Sequence, residues 1–182
     1  MMGHVLNLLT AFVRETGGDE AVEKVFALAG IEGREFRFER VYPEEDFSKL
    51  VVAALEVFEV DVPFVEEQFA RYFMRVSPEL FPMIFKLAGG SQELIRRIPH
   101  LHRSIPSAAN RQEYRDKLTV ERDEENLLGL RYESPHKLCG FLQHLVNLTL
   151  EHYSERGEIQ ELECMRDGAE ACRIEVRFLG AA

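Results

Sequence analysis

The stretch LLGLRYESPHKLCGFLQHLVNLTLEHY, residues 127–153, changes its period partway along. Leu127 to Tyr132 reads as a strand. After a short polar turn, Leu138, Phe141, Leu142, Leu145 and Leu148 recur at spacings of three and four. That spacing predicts a long helix over Pro135–Tyr153, closed by Gly157. Upstream, Lys117 to Glu121 reads as a second strand, joined to the first by the charged turn Arg122-Asp123-Glu124-Glu125. Downstream, Ile159 to Arg166 and Ala171 to Phe178 predict a hairpin around Asp167-Gly168. Strand–strand–helix–strand–strand packs most simply as a helix laid across a four-stranded antiparallel sheet.

Before about residue 107 the pattern is helical. Val5, Leu6, Leu8, Leu9, Phe12 and Val13 predict a first helix, ended by Gly17-Gly18. Ala21 to Leu28 predicts a second, and Phe47 to Phe58 a third with Asp46 as N-cap. Val62 to Val76, Pro78 to Ala88 and Ser91 to Ile105 follow, while Phe36 to Val41 reads as extended. The fold class is therefore α+β. A helical lobe of about residues 1–106 packs on an α+β lobe of about 107–182, within one domain spanning 1–182. Ser107–Gln112 is the polar connection between them.

Hydrophobic residues make up 46% of the chain, which supplies a core and excludes a disordered polymer. The formal net charge of −10 argues against nucleic acid or an anionic membrane surface as partner, since both need a positive patch. No run is apolar enough to span a membrane. With no signal-peptide layout and only three cysteines, the chain reads as cytoplasmic and reduced.

Three groups of residues carry possible chemistry. Tyr132, Ser134 and His136 alternate, so on extended chain their hydrogen-bonding side chains point the same way. In SQELIRRIPHLHRSIP, Leu94, Ile95, Ile98 and Leu101 mark a buried helical stripe that His102 adjoins. His100 points about 160° away from His102 on an ideal helix, and Pro99 should kink or restart that helix. A histidine on an apolar face is most simply a core residue, yet imidazole is also a common ligand of haem iron. Cys164 and Cys172 lie symmetrically about Gly168, which makes them cross-strand neighbours, and Cys139 begins the long helix. The three read as small buried residues, a redox cluster or a thiolate metal site. As a fourth zinc ligand Glu161 has the wrong strand parity for Cys164 unless a bulge intervenes. The phenylalanines Phe58, Phe64, Phe69, Phe73, Phe81 and Phe85 read first as core and second as the wall of a flat apolar ligand's pocket. There is no phosphate loop, nucleophile elbow or zinc-protease spacing, so nothing calls for catalysis by this chain.

The chain resembles the bacterial haem nitric oxide/oxygen-binding family (H-NOX, HNOB), related to the sensor domain of soluble guanylate cyclase. MMGHVLNLL is similar to the family's opening, where Met-x-Gly precedes the first helix. LIRRIPHLH resembles its proximal helix, in a register that selects His102 rather than His100 as the iron ligand. LRYESPHKLCG is similar to the Tyr-x-Ser-x-Arg segment that holds the haem propionates, and CMRDGAEACRI to the closing hairpin of the cysteine-bearing branch.

The resemblance implies a b-type haem (haem b) clamped between the two lobes. His102 would be its axial ligand, Tyr132 and Ser134 would hold propionate, and Val5, Phe73 and Leu145 would be further pocket residues. Oxygen-binding members place a tyrosine where this chain has Phe141, so the pocket is expected to favour nitric oxide and carbon monoxide over oxygen. Signalling would pass to a separate partner, a histidine kinase or a cyclic-di-nucleotide enzyme. Two positions depart from the pattern. His136 stands where the family has the propionate-clamping arginine, and histidine is a weaker, pH-dependent donor. Glu161 stands where the cysteine-bearing branch has a histidine beside Cys139, Cys164 and Cys172 as a zinc ligand. These departures support an alternative, a haem-free interaction module that senses zinc or redox state through its cysteines. A small-molecule-binding domain of the 4-vinyl reductase type is a third reading. It leaves the opening residues and the His102 register unexplained.

Overall fold

The computed structural model describes residues 3–31, 33–38, 40–104 and 117–182, with only the helical backbone of His102, Arg103 and Ser104. Ser107–Gln112 and Pro106 lie outside the described residues. The chain divides into two compact units. The described residues up to Phe69 form the first and those from Ala70 the second. The division falls at Phe69; of the helical segments after it, Ser91–Ser104 and Cys139–His152 pack against the sheet.

In the first unit, α1 (Gly3–Ala29) and α2 (Glu44–Phe58) pack together. The two helices expected before residue 30 are two arms of α1, which bends at Gly18 (φ 75°, ψ −174°). Only glycine adopts that conformation readily. Leu6, Leu9, Val13 and Val25 of α1 are buried, as are Phe47, Leu50 and Ala53 of α2. Asp46 is not the N-cap. Pro43 takes that place, and Asp46 lies inside the first turn, 2% exposed, with Arg34 Nη1 at 2.5 Å. Glu44 and Glu45 start the helix three residues early, and their charges suit the positive end of its dipole. Among the described residues of 36–41 none lies in a strand, though Val41 makes an isolated bridge. The Tyr42 hydroxyl accepts the Arg37 N–H at 2.8 Å and turns the chain there.

α3 (Val62–Leu80) begins in the first unit and ends in the second. Pro78 does not start a new helix but lies inside α3, and α4 (Pro82–Leu87) starts with Pro82 at its first position instead. α5 (Ser91–Ser104) runs through Pro99. Four strands follow: β1 (Leu118–Glu124), β2 (Leu127–Tyr132), β3 (Glu155–Glu163) and β4 (Cys172–Ala181). They form an antiparallel sheet in the order β1-β2-β4-β3. α6 (Cys139–His152) packs against β3 and α5. Ile95, Leu128, Leu130, Val146, Leu150, Ile174 and Val176 make the core between helices and sheet. No described helix is long and apolar enough to cross a membrane.

Several boundaries differ from the sequence expectation, among them β3, which starts and ends before the expected Ile159–Arg166. β1 continues to Glu124, because Arg122 pairs with Glu124 and Glu175 on the open face of the sheet. The turn is therefore only Glu125-Asn126. α6 starts at Cys139, since the preceding residues form a turn in which the Ser134 carbonyl accepts the Lys137 N–H at 3.0 Å. Gly157 does not end α6 but sits in β3, where a Cβ would lie 2.8 Å from Leu150 Cδ1. That glycine lets helix and strand approach closely.

Candidate functional site

α6 begins at Cys139, β3 ends just before Cys164, and β4 begins at Cys172. These three boundaries bring three buried, free thiols together, with every Sγ within 4.8 Å of the others and Cys139 Sγ 2.9 Å from Cys172 Sγ. Glu163 pairs with Arg173 as the last rung of the hairpin, so Cys164 and Cys172 are the next neighbours along it. Burial, reinforced by the other two sulfurs, pushes the Cys139 thiol well above its usual range. Burial also raises Cys164. These two thiols are therefore protonated at neutral pH, and a metal would have to displace protons to bind them.

The bulge that the sequence required is present, between Glu161 and Glu163. It brings Glu161 within 4.8 Å of Cys164 and Asp167, but Glu161 does not join the set made by the three cysteines. Its carboxylate is exposed and accepts the Gln143 Nε2–H at 2.5 Å. Among the described residues the cluster has three ligands and no fourth.

Tyr132 ends β2 and packs against this cluster. Burial pushes its phenol up to about 12, opposed by the neighbouring Ser134 hydroxyl and Leu138 backbone. Ser134 is 2% exposed, and its Oγ also accepts the backbone N–H of His136 at 3.3 Å. The expected row is thus broken after its second member. The strand stops at Tyr132 and the chain turns, so Tyr132 and Ser134 meet while His136 lies in the turn, half-buried.

On α5, Leu94 and Ile95 are buried and His100 is exposed. The His102 side chain lies outside the described residues. Phe73 of α3 meets Phe141 of α6 edge to face, with ring centroids 6.1 Å apart. Leu145 lies one turn further along α6, half-buried like Phe141. Val5, also half-buried, belongs to the first unit.

Two residues were not singled out by the sequence. Glu155, at the start of β3, accepts the backbone N–H of Ser91 at 3.2 Å and also its hydroxyl. It caps the helix that carries His102. The glycine pair before Ser91 and the serine itself were the available signal for this cap. Ser77 of α3 is 1% exposed, and its Oγ is a buried polar atom without a hydrogen-bond partner. Leaving such a group unpaired costs about 1–3 kcal/mol. A lone serine gives no signal in the sequence.

A helix-and-sheet fold of this order is shared with known gas-binding domains. An H-NOX protein from S. oneidensis in the Fe(II) ligation state, itself a mutant, matches with a TM-score of 0.82 at 17% identity, over 100% of this chain and 98% of that one. An oxygen-binding H-NOX domain related to soluble guanylate cyclases matches with a TM-score of 0.78 at 15% identity, over 100% and 96%. A mutant H-NOX protein from K. algicida, Fe(II) and unliganded, gives 0.78 at 20% identity, over 98% and 96%. Among curated proteins, none matches the sequence. The model of the Haem-NO-binding family, HNOB, matches residues 2–161, and the chain belongs to that family.

Proposed function

We propose that this protein is a haem-based gas sensor that favours nitric oxide and carbon monoxide over oxygen and signals through a separate protein. The observation that carries the reading is the family match across residues 2–161. A haem held by one imidazole supplies an open coordination position for a diatomic gas. The residues of the second unit suit such a group. Ser134 is a buried hydroxyl and Tyr132 a half-buried one, and the phenol stays protonated, as a donor to a propionate must. His102 is assigned as the axial ligand. It lies on the helix whose other histidine, His100, is turned to solvent. His136, half-buried in the turn after Ser134, stands in the place of a second propionate donor.

Phe73, Phe141 and Leu145 line the gas side in this reading. Phe141 has no hydroxyl to donate to bound oxygen, which is the basis for the preference. His102 near one end of α5 would hold the iron, and Glu155 anchors the other end of that helix. The histidine kinase or cyclic-di-nucleotide enzyme is proposed as the protein that reads gas binding. Haem titration of the purified chain tests the proposal. One equivalent should bind with a Soret band that shifts on adding nitric oxide, with no stable complex in air. A chain that takes up no haem in excess contradicts it.

The three-thiol cluster favours a second reading, a haem-free interaction module with zinc or oxidation as its input. Metal analysis and thiol titration of protein purified without chelators separate the two. Stoichiometric zinc and no haem uptake would favour the module.

A further inference from the structure

Ser77 is a buried hydroxyl that declines the partner its helix offers. A serine or threonine inside a helix commonly donates back to the carbonyl four residues earlier. Three threonines of this chain do so: Thr10 to Leu6 at 2.9 Å, Thr16 to Phe12 at 2.9 Å and Thr149 to Leu145 at 2.7 Å. Ser77 is more deeply buried than any of them, at 1% exposure, yet its Oγ makes no such bond. The next residue is Pro78, which has no N–H for the Met74 carbonyl, so this turn of α3 also lacks a helix bond.

The face on which Ser77 lies is fixed by its neighbours. Phe73 precedes it by one turn and therefore shares its face. The Phe73 ring meets Phe141 of α6, and Met74 Sδ lies 4.0 Å from Thr149 Oγ of the same helix. The unpartnered hydroxyl is thus on the α3 face that the proposed function assigns to the gas.

We propose that Ser77 is the polar group of the gas site, its hydroxyl donating a hydrogen bond to the diatomic ligand. This rests on the haem reading above and adds to it a specificity-determining residue. Phe141 brings no hydroxyl, so Ser77 sets how much hydrogen bonding the bound gas receives. Bound oxygen carries more negative charge on its outer atom than bound carbon monoxide does. The serine therefore narrows the preference against oxygen, and removing it widens that preference.

The test compares the haem-loaded wild-type chain with Ser77→Ala, using carbon monoxide as probe. The C–O stretching band should move to higher frequency in S77A, and carbon monoxide should dissociate about two- to tenfold faster, the range of one neutral hydrogen bond. Transfer of the wild type to D2O should shift the C–O band, and S77A should not show that shift. Without haem, S77A should melt at or above the wild-type temperature, because the hydroxyl has no partner there. Identical C–O bands in the two proteins, both with a normal Soret band, overturn the role of Ser77 and leave the haem reading standing. A wild-type chain with no Soret band overturns both. Should S77A fail to fold, the absence of a D2O shift in the wild type overturns the proposal.

Discussion

The Tyr132 phenol lies beside the Ser134 hydroxyl and packs against the three cysteines. Burial raises the phenol to about 12 from an ordinary value of 10. A phenol is neutral when protonated, so the folded state holds its proton more tightly than the unfolded state. The associated stability is complete below pH 10 and is lost as pH rises towards 12. Unfolding free energy measured in urea should fall across that window by up to about 3 kcal/mol. Tyr132→Phe should flatten part of the fall; the raised thiols of Cys139 and Cys164 contribute in the same direction from lower pH. An identical slope in the variant would contradict the assignment.

The same burial predicts slow thiol chemistry. Thiolate is the nucleophile, and Cys139 and Cys164 are both pushed away from it. At about pH 8, near the ordinary thiol pKa, a disulfide reagent should react far more slowly with the folded chain than with the chain in guanidinium, where all three cysteines react. Equal rates in the two states would show that the cluster is open.

Glu155 reaches Ser91 from 64 residues away and closes the N-terminus of α5. Glu155→Ala leaves the fully buried Ser91 without its acceptor and should destabilise the chain by about 1–2 kcal/mol. Glu155→Gln keeps an acceptor oxygen but loses the charge near the helix dipole, and should fall between the two. Denaturant midpoints decide the order.

Asp46 and Arg34 form a pair in which the carboxylate is buried and the guanidinium is 42% exposed. Arg34→Ala strands the charge of Asp46. The loss should be about 2 kcal/mol, below that of a fully buried pair because solvent screens the arginine. Asp46→Asn, measured beside it, should cost less in the Arg34→Ala background than in the wild type.

The four strands and the closing hairpin were legible because alternation and the Asp167-Gly168 turn are local signals, while the β1-β2-β4-β3 order rests on pairing between distant strands. What failed were local signals overruled by distant partners. Arg122 and Glu124 look like turn residues until Glu175 is seen opposite. Gly157 reads as a helix stop, yet it is the seat for Leu150. Asp46 reads as a cap because its partner Arg34 lies outside the helix. In the site, the three cysteines and the Tyr132–Ser134 pair were visible as spacing. Glu161 was visible as a substitution, but only the bulge shows that it approaches Cys164 without completing the cysteine set. Glu155 and Ser77 were invisible, since their meaning lies in a partner far along the chain and in a missing one.

The central claim is that His102 holds haem through α5. The direct measurement is the absorption spectrum of haem-supplied wild type, His102→Gly and His100→Ala, each with and without added imidazole. His102→Gly should lose the wild-type Soret band and regain it when imidazole is supplied, while His100→Ala should match the wild type throughout. A His102→Gly spectrum indistinguishable from the wild type, or haem lost on substituting His100 instead, would contradict the account.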